Sequence, residues 1–185
     1  MKSRINDYGN ALRTLAIAVI AGVSSALVVA LFGYCLSHMM SFVERLGPRF
    51  WLAAPPISAI AVGLLILRRV PYAGGEGVQF YITGVNLRGG RLSPVATLLK
   101  FPATLITLAA FGSGGTVGPL ARICAGAGCW ITGSTVGRSP LRRSDDLAVG
   151  AICGAAGAIS AIFHAPLAAG LYATEVLRRE SIRYT

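Results

Sequence analysis

Gly112-Ser113-Gly114-Gly115-Thr116-Val117-Gly118-Pro119 interrupts an apolar stretch bounded by Lys100 and Arg122, and these residue types suit the holding of an anion. Glycines let a backbone approach a ligand closely and adopt positive φ. Pro119 fits the first turn of a following helix. A helix start presents N–H groups with no intrahelical partner and the positive end of the macrodipole. Where the surroundings are hydrocarbon, an unpartnered backbone group costs several kcal/mol, so irregular backbone must be enclosed by protein or line a polar cavity. The loop therefore predicts an anion-handling membrane protein, with Gly115, Thr116, Val117, Gly118 and Pro119 along the anion's path.

Other residues with possible chemistry are few. Arg122 falls in the first turns after Pro119, inside an apolar helix, where a cation opposes the helix dipole and needs a partner. It either compensates an acid such as Glu76, attracts anions, or snorkels to an interface. A second glycine-rich link, Tyr72 to Gly77, holds Glu76 between Gly75 and Gly77. Glu76 is read either as a group taking a proton beside a pathway or as a carboxylate at the cytoplasmic rim, solvated or paired with Arg68 or Arg69. His164, before Ala165-Pro166, is most simply a cap or packing residue of the next helix. Cys35, Cys124, Cys129 and Cys153 lie in apolar segments without C-x-x-C spacing, so they read as small, reduced packing residues. The sequence holds no nucleophile–base pair, no metal-spaced cluster, and no Gly-Lys-Ser/Thr ending to the glycine loop. No enzyme activity, metal or cofactor is expected.

The elements that must position these residues are membrane helices. The chain is 54% hydrophobic and 13% charged, with mean hydropathy +0.65, well below the usual charged share of about 25%. Four long stretches are nearly free of charge: 14–37, 50–67, 101–121 and 147–174. The first exceeds the apolar run of a cleavable signal peptide. The net charge of +10 does not form a nucleic-acid stripe, because the basic residues sit at segment ends. That is the pattern of a cytoplasmic face or of contact with anionic lipid. It puts the amino terminus and Arg68-Arg69 inside, and residues 38–49 outside.

Helices are expected over 11–37 and 51–69, with Pro55-Pro56 near the start of the second. Others are expected from Pro94 to about Phe111, from about Pro119 to Gly133, over 147–163, and from Pro166 to near Arg179. A short apolar stretch after Gly77 precedes them, and Gly137 to Asp146 reads as a polar connector. Several of these helices are too short to span about 30 Å, as in transporters whose broken helices aim their ends at a site near the midplane. Gly150-x-x-x-Gly154 allows close helix contact, explained by packing without any dimer.

Three stretches together resemble the CLC family of chloride channels and chloride/proton exchangers. Gly75-Glu76-Gly77-Val78-Gln79 resembles the family's G-S-G-I-P loop. Gly115-Thr116-Val117-Gly118-Pro119 resembles its G-R-E-G-P loop, continued by Ile123 and Gly126. Ala161-Ile162-Phe163-His164-Ala165-Pro166-Leu167-Ala168 resembles its A-A-F-N-A-P-L-A-G segment. The likeness covers about residues 70–179. It implies an all-α integral membrane protein of broken, tilted helices, half of an inverted repeat, working in the family as a homodimer with one pore per subunit. It also implies that residues 1–185 form one membrane domain matching the amino-terminal half, since the family's later G-x-F-x-P loop and pore tyrosine lie beyond Thr185.

The departures carry information too. Glu76 stands where the family has an anion-binding serine, and an ionised carboxylate 4 Å from an anion would repel it by roughly 4 kcal/mol at an effective dielectric of about 20. Gln79 replaces the loop's proline. Val117 and Val176 stand where the family carries its two proton-handling glutamates. The expectation is passage of a monovalent anion, chloride by default, through a multi-pass protein of the cell membrane, channel-like or at least not proton-coupled. The expected partners are the anion, the lipid bilayer, and either a second copy or a chain supplying the second half; nucleic acid is not among them. The rival is a non-transporting membrane subunit or a truncated, inactive half.

Overall fold

A computed structural model of the chain describes residues 2–69, 78–87, 90–136, 146–173 and 175. Seven helices make up the described residues, with no strand among them: α1 (Lys2–Arg45), α2 (Pro48–Arg69), α3 (Val78–Leu87), α4 (Pro94–Ala109), α5 (Val117–Val136), α6 (Asp146–Phe163) and α7 (Pro166–Tyr172). Two are long and apolar enough to cross a membrane, one within Ala11–Arg45 and the other Asp146–Phe163. Stretches over Phe50–Ile66 and Pro94–Ala109 are apolar but shorter.

Helix α1 runs past the expected end at residue 37 because no breaker intervenes before Gly47-Pro48. Gly47 turns the chain with φ +90°. That early turn starts α2 at Pro48 and leaves Pro55 and Pro56 inside the helix rather than near its start. Each proline removes one intrahelical donor. Ser58 Oγ, nearby, donates to the Pro55 carbonyl at 2.8 Å. Helix α4 begins as expected at Pro94, where the Ser93 hydroxyl accepts from the Ala96 N–H at 3.5 Å. Helix α5 begins two residues before Pro119, since the Thr116 carbonyl already accepts the Leu120 N–H at 3.1 Å. The expected continuation of α7 to Arg179 lies outside the described residues.

Three helices pack backbone to backbone. A methyl on Gly128 would overlap the Gly150 carbonyl, and one on Gly154 would overlap the Cys124 carbonyl. The Gly150/Gly154 pair is thus spent on the antiparallel α5–α6 contact within the chain. On its other side α6 meets α1 in parallel. Arg13 pairs with Asp146 at 2.5 Å. The Ser25 hydroxyl donates to the Gly154 carbonyl at 2.9 Å. A Cβ on Gly157 would come within 3.0 Å of Ser25. Small residues are the usual membrane solution here, because without a hydrophobic drive between helices close backbone packing supplies the attraction.

Two buried clusters complete the interior. Ala121, Ala125, Cys129, Ala151 and Ala155 pack between α5 and α6 with Val85 of α3. Phe32, Leu105, Leu120 and Ile123 join α1, α4 and α5, with Phe32 edge-on to Phe101 at 5.3 Å between ring centroids. Cys124 and Cys129 are buried, and all four cysteines are free thiols.

Candidate anion site

The α4–α5 break is built by helix-end chemistry. Helix α4 closes with the Phe111 N–H donating to Leu108 O at 3.1 Å and the Gly112 N–H to Thr107 O at 2.9 Å. These are the paired bonds of a Schellman end, which wants a left-handed residue at the first position past the cap. Phe111 fills that position with φ +58°. The positive φ expected of the loop glycines therefore falls on a phenylalanine; among the described glycines, Gly47 and Gly90 adopt it. Gly112 is required for a different reason, since a Cβ there would lie 2.6 Å from Thr107 O.

Beyond Gly112 the chain is open. Ser113, Gly114 and Gly115 are exposed, and a Cβ on Gly115 would meet nothing within 4 Å. Thr116, Val117, Gly118 and Pro119 are half-buried. Val117 and Gly118 supply first-turn N–H groups, while Pro119 has none to give. The break stands beside the α1–α2 turn: the Phe111 and Trp51 rings are 6.1 Å apart, and Glu44, Trp51 and Phe111 line a cavity of about 510 Å³. Residues Gly115 to Pro119 are thus contiguous on one helix start, whereas Gly75, Glu76 and Gly77 lie outside the described residues.

Arg122 sits apart from that loop. It is 6% exposed, so it does not snorkel to an interface. Its guanidinium carbon lies 4.6 Å from the centre of the Phe80 ring on α3, a cation–π contact worth about 0.5–2 kcal/mol. Lys100 on α4 is similarly buried, at 8% exposed, and lies within electrostatic reach of Arg122. Sequence reasoning used Lys100 only as the boundary of an apolar stretch. Its signal was available, because a lone cation between Pro94 and Phe111 is itself an intramembrane charge. Arg122, Phe80, Gln79, Arg91, Ser93 and Thr97 border a cavity of about 530 Å³ to which none of Gly115–Pro119 contributes.

His164 is exposed, with φ +53°. The cap of α7 is Ala165, which makes no side-chain hydrogen bond, so His164 supplies the turn rather than the cap expected of it. Among the described residues no group of three His, Cys, Asp or Glu could hold a metal ion.

Comparison with known proteins shows the family of the chain. The voltage-gated chloride channel family model matches residues 57–185. Voltage-gated ClC-type chloride channel ClcB of Yersinia pseudotuberculosis serotype O:1b (strain IP 31758) is 26% identical over 180 residues, covering 90% of this chain and 42% of the relative. The protein of the same name from Yersinia pestis gives the same figures, 26% identity, 90% and 42%. A ClcB-like chloride channel protein of Ralstonia nicotianae (strain ATCC BAA-1114 / GMI1000) is 26% identical, with 88% of this chain and 40% of the relative covered. The chain therefore spans about two-fifths of the length of the curated relatives it matches. No solved structure matches it significantly. With the family model covering all but the first helix and the start of the second, the chain belongs to the voltage-gated chloride channel (CLC) family of membrane proteins.

Proposed function

We propose that this chain contributes to the passage of a small monovalent anion, chloride by default, across the cell membrane as a single multi-pass domain. The carrying observation is the α4–α5 break, where an open glycine run leads into the N–H groups of Val117 and Gly118. A dehydrated anion exchanges its hydration shell for such dipoles, and selectivity follows from how well they replace it. Gly75, Glu76 and Gly77 form the second loop of the path in this reading, with Glu76 ionising to oppose the anion or taking a proton to admit it. Val117 stands where the family places its gating carboxylate, and Val176 where it places the second proton carrier. Passage is accordingly channel-like rather than coupled to protons. The complete pore is a homodimer or an assembly with a chain supplying the second half.

The test is efflux of chloride and of fluoride from liposomes holding the purified chain, alone and with any second-half partner. Efflux that Glu76→Ser increases is the expected result. Val117→Glu should cut chloride efflux at least about tenfold at neutral pH, because an ionised carboxylate repels the anion. Acidification toward the ordinary glutamate value near 4.3 should restore it, the neutral acid having no such repulsion. Absence of efflux from folded, inserted chain in both arms would leave a non-transporting membrane subunit.

A further inference from the structure

The Arg91 side of the cavity that Arg122 also borders lies at a definite end of the molecule. Gly90, just before Arg91, packs so closely on α6 that a Cβ there would overlap the backbone of Ala148. Asp146, two residues earlier, pairs with Arg13. Arg91, the start of α4, the start of α6 and Arg13 therefore share one rim. By the distribution of basic residues that rim is the cytoplasmic one, the side on which anionic lipid headgroups attract basic groups.

Against this cavity lies a second one of different character. Val28 and Leu31 of α1, Phe101 of α4 and Ile123, Ala127 and Trp130 of α5 are among the residues that line an apolar groove of about 470 Å³. Leu92 and Thr97 border both spaces. A cationic chamber thus joins an apolar trough at the edge of a membrane protein. The volumes fall in the range of small-molecule sites, about 300–1,000 Å³.

We propose that this pair of cavities binds an anionic phospholipid, with its phosphate between Arg91 and Arg122 and an acyl chain along the α1–α4–α5 groove. Arg91 is exposed and meets the headgroup first. Arg122, steadied by the Phe80 ring, supplies the buried charge, and Lys100 adds to the positive field. Ser93 and Thr97 border the same chamber, the Thr97 hydroxyl donating to the Ser93 carbonyl at 3.0 Å. Charge selects the lipid class, because a zwitterionic headgroup brings a cation of its own to a chamber already lined by two arginines.

Trp130 lines the groove, and Trp51 is the other tryptophan of the chain. Trp51→Phe leaves Trp130 as a reporter inside the groove, and Trp130→Phe leaves Trp51 as a control on α2. Both proteins go into vesicles containing dibrominated phosphatidylglycerol or dibrominated phosphatidylcholine at equal mole fraction. Trp130 quenching should favour phosphatidylglycerol by about fivefold in apparent affinity, with no such preference at Trp51. Arg91→Gln and Arg122→Gln should each reduce the preference at least twofold. Should Arg122→Gln fail to fold, the exposed Arg91→Gln carries the same test. Equal quenching by the two lipids, the same preference at Trp51, or a preference untouched by Arg91→Gln overturns the proposal. Loss of the preference in 50 mM inorganic phosphate, with vesicle ionic strength held constant, would assign the chamber to a free anion and also overturn it.

Discussion

The α4–α5 break and the α6–α7 break solve one problem in two ways. Each ends a helix with a non-glycine residue in the left-handed region, Phe111 at φ +58° and His164 at φ +53°. Each is followed by a proline in the next helix's first turn. The first break then spends five residues, 112–116, before α5 starts, and it is closed by two backbone bonds of 2.9 and 3.1 Å. The second spends Ala165 alone, and in the helix it launches, described as α-helix over Pro166–Tyr172, Leu167 and Leu171 are largely exposed. The first break has a closed end behind it and open backbone in front of it; the second redirects the chain within a single residue.

The difference can be broken most severely at Gly112. Gly112→Val drives a branched side chain into the Thr107 carbonyl and should cost about 2–4 kcal/mol, as overpacking and lost cap bonds combine. Denaturant titration of the purified chain in micelles, followed by circular dichroism, measures it. A loss below about 1 kcal/mol would mean that the closure of α4 is loose and the two breaks are alike. At the other break Ala165→Ser supplies the missing side-chain acceptor to α7 and should gain about 0.5–1 kcal/mol in the same titration. The smallest quantity is the difference between the two left-handed residues. His164→Gly should stabilise by about 1 kcal/mol, the cost of holding a β-carbon in that region. Phe111→Gly should gain about half as much, because it forfeits the ring contact with Trp51. Equal gains would show that the ring contact contributes nothing.

Much of this architecture was legible from residue types. Pro94, Pro166 and the uncharged stretches mark helices that the structure contains, because proline's fixed φ and the length of an apolar run are local properties. Both breaks were visible for the same reason. What was not legible was the carrier of the strain. A glycine loop suggests that glycines take the left-handed positions, yet a Schellman end fixes that position by counting from the helix, and the count falls on Phe111. Likewise Pro55 and Pro56 fall inside α2 because Gly47-Pro48 starts it early, which only the full helix register reveals. Of the candidate site, the contiguity of Gly115 to Pro119 was legible, since consecutive residues had to be together. Arg122 was flagged without its partner, since Phe80 is brought to it by the packing of α3 on α5, a relation with no sequence spacing to betray it.

The parallel seating of α1 on α6 has a mechanical consequence. Arg13 on Asp146, Ser25 on Gly154 and Gly157 against Ser25 pin the two helices at more than one height. Sliding α1 by a single turn, about 5.4 Å, would carry the Ser25 hydroxyl away from its buried acceptor and part the ion pair in the same movement. The two helices therefore act as a stator. Any rearrangement that opens or shuts a path through this chain has to be made by the pieces hung on that frame, and the stretch from Phe111 to Thr116 and α7 beyond His164 are where the frame lets go.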